Sequence, residues 1–83
     1  MDTTLAYLRE VLSNYTEDYA LSRNIYVKLK QAASEGELAF VRSLDQEETH
    51  FLNRILPSEI DHALDEQDYT RMSELNHVYE LLI

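Results

Sequence analysis

The sequence predicts an all-α fold, an elongated antiparallel bundle of three principal helices in one domain spanning residues 1–83. Three observations favour this fold. The chain holds one Gly and one Pro, so few of its residues disfavour a helix. Apolar side chains recur at spacings of three and four, which is the period of one helix face. No segment alternates apolar and polar residues as a half-buried strand does.

The longest periodic segment predicts a first helix over about residues 4–34. A helix of this length measures about 45 Å, whereas a compact globule of this chain length is about 30 Å across. Gly36 lies where a left-handed residue would end the helix. The alternative is a break at Ser13–Thr16, where four modest helix formers follow one another. Counted from Leu5 as position a, the a and d positions are apolar or aromatic except for one serine: Leu5, Leu8, Leu12, Tyr15, Tyr19, Ser22, Tyr26, Leu29 and Ala33.

A capping pattern marks the start of a second long helix. Asp45 and Glu48 form the Asp-x-x-Glu signature of a helix N-terminus, and an apolar stripe follows it to predict a helix over about residues 46–65. Pro57 interrupts this segment and removes one backbone donor. Because the stripe keeps its phase across the proline, we predict a kinked helix, with a new helix beginning at Pro57 as the alternative.

The remaining segments predict shorter elements. Leu38, Val41 and Leu44 favour a short helical turn before the second helix. The polar run 65–68 predicts a break after that helix. A last helix is expected over about residues 69–82, and its apolar side chains are Met72, Leu75, Tyr79 and Leu82.

The charge is unevenly distributed along the chain. Sixteen acidic residues oppose seven basic ones and give a formal net charge of -9. Acids and bases cancel within residues 1–34, so the whole net charge lies in residues 35–83. Residues 19–34 carry the bases Arg23, Lys28 and Lys30 and no acid. This layout predicts complementarity within the chain or between two chains, with an ordinary solvated surface as the alternative.

Composition also excludes several classes of function. The net charge of -9 disfavours binding to nucleic acid or to an anionic membrane. The sequence has neither a long apolar span nor a secretory signal pattern, so we expect a cytoplasmic location. There is no Cys nucleophile, no Gly-rich phosphate loop and no Gly-x-Ser-x-Gly elbow, which predicts that the protein is not an enzyme.

Each of the three histidines follows a glutamate by three positions. The pairs are Glu47/His50, Glu59/His62 and Glu74/His77. This spacing occurs in di-iron carboxylate bundles, but such a site also needs bridging glutamates, which the seam of the first helix does not offer. We therefore predict exposed helical pairs, no metal and no cofactor. The tyrosines of the first helix are expected to pack in the core and not to stack on bases.

The apolar stripe of the first helix predicts self-association. Val11 and Ile25 at position g widen the stripe beyond the area that one short partner helix covers. We therefore expect a homodimer through the first helix; the alternative is a monomer in which the other helices cover the stripe. The candidate interface residues are Leu5, Leu8, Val11, Leu12, Tyr15, Tyr19, Ile25, Tyr26 and Leu29.

Several short segments resemble a known family. They are Thr4-Leu5, Tyr7-Leu8-Arg9-Glu10, Leu12-Ser13-Asn14, Phe51-Leu52-Asn53, Glu59-Ile60, Glu66-Gln67-Asp68, Glu74-Leu75-Asn76 and Val78-Tyr79-Glu80-Leu81-Leu82. In these segments the chain is similar to the small sporulation-specific CsgA family of Bacillus relatives, which is described as sigma-G-dependent and is unrelated to the curli subunit of the same name. The resemblance implies expression late in the developing spore and a location in the forespore or spore. It implies no activity, ligand or site residue.

Two hypotheses of function follow. The first is a sporulation-associated acidic helical protein without catalytic activity, acting as a protein–protein interaction or regulatory module with a protein partner in sporulating cells. The second is an abundant structural or storage component of the spore.

Overall fold

The computed structural model describes residues 3–15 and 20–83, and within them it contains five helices and no β-strand. The all-α prediction is confirmed for this part of the chain, but the count of three principal helices is wrong. The helices are α1 (Thr3–Ser13), α2 (Ala20–Gln31), α3 (Glu37–Ser43), α4 (Gln46–Asp65) and α5 (Tyr69–Leu82).

The predicted continuous helix over residues 4–34 is wrong, and the alternative break is the observed one. The backbone N–H groups of Asn14 and Tyr15 donate to carbonyls three residues earlier, at 3.1 and 3.0 Å. Such bonds tighten the last turn and end α1. The Ser13 hydroxyl donates to the backbone oxygen of Glu10 at 2.7 Å, so its side chain competes for the helix carbonyls.

The break positions Tyr15 against α4. Its hydroxyl donates to the carboxylate of Glu59 at 2.9 Å. Its ring meets Phe51 edge to face, with the ring centroids 6.2 Å apart. A continuous helix could not place Tyr15 in these contacts and also fold α2 back beside α1.

The predicted elongated shape is also wrong. The Cα radius of gyration is 11.7 Å and the principal extents are 30 × 27 × 22 Å. A compact domain of this length has a radius of gyration of about 12 Å. Because the first apolar segment is divided into α1 and α2, no helix needs to extend beyond a compact core.

The second long helix begins and ends at the predicted residues. The Asp45 carboxylate accepts the N–H of Glu48 at 2.8 Å, and the Glu48 carboxylate accepts the N–H of Asp45 at 2.9 Å. This is the reciprocal capping box that the sequence predicts. Helix α4 continues through Pro57 to Asp65, so the alternative of a new helix at Pro57 is wrong.

The predicted break after α4 is a Schellman motif. The N–H of Asp68 donates to the carbonyl of Ala63 at 2.9 Å, and the N–H of Gln67 donates to that of Leu64 at 3.0 Å. Gln67 takes a left-handed conformation with φ of 60°. Asp68 then caps α5 by accepting the N–H of Arg71 at 3.2 Å. The polar run thus reverses the chain between two antiparallel helices.

Gly36 ends one helical segment and starts the next. Helix α2 stops at Gln31, and Gly36 serves as the N-cap of α3 with φ of 97° and ψ of 177°. This region of backbone space is essentially restricted to glycine. An added Cβ would meet no atom within 4 Å, so the requirement for glycine here comes from the backbone alone.

We expect Gly36→Ala to lower the free energy of unfolding by about 1–3 kcal/mol, which is the usual cost of such a conformation for a residue with a Cβ. Urea denaturation followed by circular dichroism measures the effect. The exposed neighbour Ser34 is the control, and Ser34→Ala should change stability by less than about 0.5 kcal/mol. Equal effects of the two substitutions would contradict the positive φ.

All five helices contribute to one core. Helix α1 packs between α2 and α5, α4 packs along α5, and α3 contacts α2 and α5. The buried side chains of the main cluster are Leu5, Leu8, Val11, Leu12, Ile25, Leu29, Ala32, Phe40, Phe51, Leu52, Ile55, Leu56, Leu75 and Val78.

Candidate functional site

Most of the predicted interface residues lie in the core of the single chain. Six of the nine are exposed by 2% or less: Leu5, Leu8, Val11, Leu12, Ile25 and Leu29. Tyr15 and Tyr26 are half-buried and pack against the core, and Tyr19 lies outside the described residues. The apolar stripe is therefore covered by the chain's own helices, as in the monomer alternative. The argument for a dimer from helix length and an uncovered stripe is wrong, because α1 and α2 fold together.

A groove follows the contact between α1 and α2. The two helices are joined by the buried Ser22 of α2, whose hydroxyl donates to the carbonyl of Leu12 on α1 at 3.3 Å. Two adjoining cavities of about 410 and 400 Å³ share Ser13 and Tyr26 as lining residues. The other residues that line these cavities are Ala6, Arg9, Glu10, Arg23 and Val27.

Three cationic side chains lie over the Tyr26 ring or line a cavity with Tyr26. Arg9 from α1 lines one of the two cavities with Tyr26, and Arg23 from α2 lines the other with Tyr26. The Lys30 ammonium lies 5.9 Å from the centre of the Tyr26 ring, within the range of a cation–π contact. Val27 completes the surface with 51% of its area exposed. We call the surface formed by these five residues the basic groove.

Two of the three cations of the basic groove belong to the basic segment that the charge pattern indicates. Arg23 and Lys30 are separated by seven residues and therefore share a face of α2, with Tyr26 between them. Lys28 faces α4 instead, where its ammonium lies 2.5 Å from the carboxylate of Glu48, and Glu48 is 2% exposed. Arg9 takes its place in the groove. Spacing along α2 predicts the Arg23/Lys30 face, but no local signal brings Arg9 to it.

Among the described residues that line these cavities, Glu10 is acidic, and it is paired with a side chain of α5. Glu10 forms a charge-assisted hydrogen bond with Arg71 of α5. This hydrogen bond raises the pKa of the Arg71 guanidinium. Glu10 thus lines the same cavity as Arg9 but has a cationic partner on α5.

The histidine pairs are divided among different contacts. Nε2 of His77 contacts the carboxylate of Glu37 on α3, and Glu59 accepts the hydroxyl of Tyr15. His50 lines a cavity of about 320 Å³ beside Phe51, where Arg54 lies 5.7 Å from the ring centre. In residues 3–15 and 20–83 no group of three or more His, Cys, Asp or Glu side chains has the arrangement of a metal site.

These features define a small, strongly acidic, all-helical protein whose acidic surface is interrupted by a basic and aromatic groove. The chain belongs to the CsgA family: the family model described as "CsgA: Minor curli fiber component A" matches residues 1–83. A relative from Bacillus subtilis (strain 168), described as "Sigma-G-dependent sporulation-specific SASP protein", is 48% identical over 83 residues, which is 100% of both chains. The family resemblance read from the sequence is thereby confirmed.

The search of solved structures found no match to this chain. Of the helices in the described residues, none combines the length and the apolar composition needed to cross a membrane.

Proposed function

We propose that this chain is a sporulation-associated protein without catalytic activity that acts through protein–protein contact, and that the basic groove is its docking surface. The observation that carries the proposal is that Arg9 and Arg23 each line a cavity with Tyr26 and that Lys30 lies over its ring, on a chain of net charge -9. A surface of this kind fits an acidic protein segment that also presents an apolar side chain. The full-length relative described as sporulation-specific supports the developing spore, and hence the forespore or spore cytoplasm, as the place of action.

The chemistry of the groove favours a protein over a nucleic acid as its partner. Binding to a duplex gains most of its free energy from neutralising many phosphates with Lys and Arg. The groove contains three cationic side chains, while twelve acids and three bases occupy residues 35–83. A duplex is large enough to meet this acidic remainder as well as the groove, and the remainder repels it. A short acidic segment of a protein avoids that repulsion.

The side chains of the groove also favour binding over catalysis. Arg and Lys supply positive charge and hydrogen-bond donors, and Tyr26 and Val27 supply apolar contact area. Arg23 and Lys30 are held on one face of α2, and Arg9 is held by the packing of α1 on α2. The groove is thus suited to select a partner by charge and shape.

A second candidate function is an abundant structural or storage component of the spore. The SASP name of the relative favours it. A component of this kind requires high abundance and no groove-dependent partner.

A capture experiment in sporulating cells tests the proposal and separates the two candidates. Tagged wild-type protein is compared with Lys30→Glu in the groove and with Arg42→Glu on α3. Lys30 and Arg42 are both exposed, and the two substitutions change the net charge by the same amount. We expect wild type and Arg42→Glu to recover one stoichiometric partner and Lys30→Glu to lose at least about 90% of it, since like-charge juxtaposition strongly disfavours docking.

Equal recovery by all three baits would contradict the groove as the docking surface. Absence of any stoichiometric partner, together with high copy number in purified spores, would favour the structural or storage component.

A further inference from the structure

The homodimer predicted from the sequence requires a surface other than the apolar stripe. Leu8, Val11 and Leu12 are fully buried in the single chain, so pairing two chains through them would open the core. Self-association that preserves the fold must use exposed groups. The basic groove is one such surface, and it requires an acidic complement.

The turn between α4 and α5 has the required chemistry. We call residues 61–69 the acidic turn; its acidic side chains, all exposed, are Asp61, Asp65, Glu66 and Asp68. Within residues 3–15 and 20–83, Asp61, Asp65 and Glu66 form no ion pair. Leu64 and Tyr69 at the same turn are 48% and 58% exposed. The turn therefore combines acidic groups with apolar ones, as the groove combines basic groups with apolar ones.

The two surfaces lie on either side of one ion pair. Arg71 lies just after the acidic turn, and its backbone N–H donates to the Asp68 side chain. Its guanidinium forms the ion pair with Glu10 on α1. Glu10 in turn lines the cavity that contains Arg9 and Tyr26. A basic surface beside an acidic surface on one molecule is self-complementary under a two-fold rotation.

We propose that the basic groove receives the acidic turn of a second copy of this chain, and that two such contacts form a reciprocal homodimer. This inference rests on the proposed function, because it names the partner of the same groove. Reciprocity doubles the buried area, and a stable interface needs about 800 Å² from each partner. At physiological ionic strength the screening length is about 8 Å, so the direct groove-to-turn contacts act while repulsion between distant acidic surfaces is screened.

Two charge-reversed variants test the proposal. The groove variant carries Arg9→Glu and Lys30→Glu, and both side chains are exposed. The turn variant carries Asp65→Lys and Glu66→Lys at the C-terminus of α4. Positive side chains at this end of a helix interact favourably with the helix dipole. Each variant alone places like charges in both contacts of a homodimer. An equimolar mixture places opposite charges in both contacts, because each altered surface meets the complementary surface of the other variant.

The measurement is the mass by light scattering at about 100 micromolar, a concentration above the dissociation constants of stable interfaces. We expect wild type to have twice the mass of one 9.8 kDa chain. Each variant alone should lose at least about a hundredfold in dimer affinity and show the mass of one chain. The mixture should regain the dimer. Circular dichroism of each variant checks the fold, and the rescue itself requires both variants to be folded.

A monomeric wild type, two variants that remain dimeric, or a mixture without recovery would each overturn the reciprocal dimer. These failures are distinct from failure of the proposed function. If a different acidic protein is captured by wild type and lost with Lys30→Glu, the groove is a docking surface and only the second copy as its occupant is rejected.

Discussion

Replacing Phe40 by alanine is expected to lower the free energy of unfolding by about 3–5 kcal/mol, the range for removing a buried aromatic ring. Phe40 is 0% exposed and belongs to α3, a helix of seven residues. A helix of this length is not stable in isolation, so its formation depends on packing. Domains of this kind unfold with a total of about 5–15 kcal/mol, and the variant should therefore lose a large share of its stability. Urea denaturation followed by circular dichroism measures the change.

Leu38 provides a matched control on the same helix. It is also a large apolar residue, but 49% of its area is exposed. We expect Leu38→Ala to change the free energy of unfolding by less than about 1 kcal/mol, since most of the transfer term is missing at an exposed site. If Phe40→Ala were no more destabilising than Leu38→Ala, the ring would not anchor α3 in the core.

The ion pair between α2 and α4 should give the second large effect. Glu48 is almost fully buried, its carboxylate accepts the Asp45 N–H at 2.9 Å, and the Lys28 ammonium lies 2.5 Å from it. Removing Lys28 leaves a buried carboxylate without its cation, which costs about 3–5 kcal/mol in a fully buried pair. Because 31% of the Lys28 side chain is exposed, water compensates in part, and we expect Lys28→Ala to cost about 2–3 kcal/mol.

Lys30→Ala is the control for this prediction. Lys30 lies on the same helix, is exposed, and has its ammonium 5.9 Å from the centre of the Tyr26 ring, so its removal should cost less than about 1 kcal/mol. A double-mutant cycle of Lys28→Ala with Glu48→Ala isolates the coupling between the two side chains. A coupling near zero, or equal effects of Lys28→Ala and Lys30→Ala, would contradict the buried pair.

The elements that could be predicted from the sequence are those with a local signal. The capping box joins Asp45 and Glu48, which are three residues apart, and α4 begins and ends at the predicted residues 46 and 65. The last helix also has the predicted bounds, because Asp68 caps its first turn. Propensity at Ser13–Thr16 correctly marked the weak point of the first segment, but periodicity outweighed it in the prediction.

The candidate site was less predictable, since its residues come from separate elements. The periodicity identified which side chains of the first segment avoid water, and six of the nine are indeed buried. Periodicity does not say which surface covers them, and the chain's own helices do so. The charge pattern indicated the basic segment around Arg23 and Lys30. It could not distinguish Lys28 from these two cations, although Lys28 faces away from the groove and pairs with Glu48 twenty residues away.

By itself the sequence determined the helical class, the acidic charge, the family, the start and end of α4 and α5, and the apolar faces of α1 and α2. These follow from interactions within a few turns of one helix, where spacing fixes geometry. The tertiary structure decided that the first segment folds back on itself, that Arg9 joins Arg23 and Lys30, and that Arg71 pairs with Glu10 sixty-one residues away. These contacts depend on how helices pack across long chain separations, and no local preference specifies that packing.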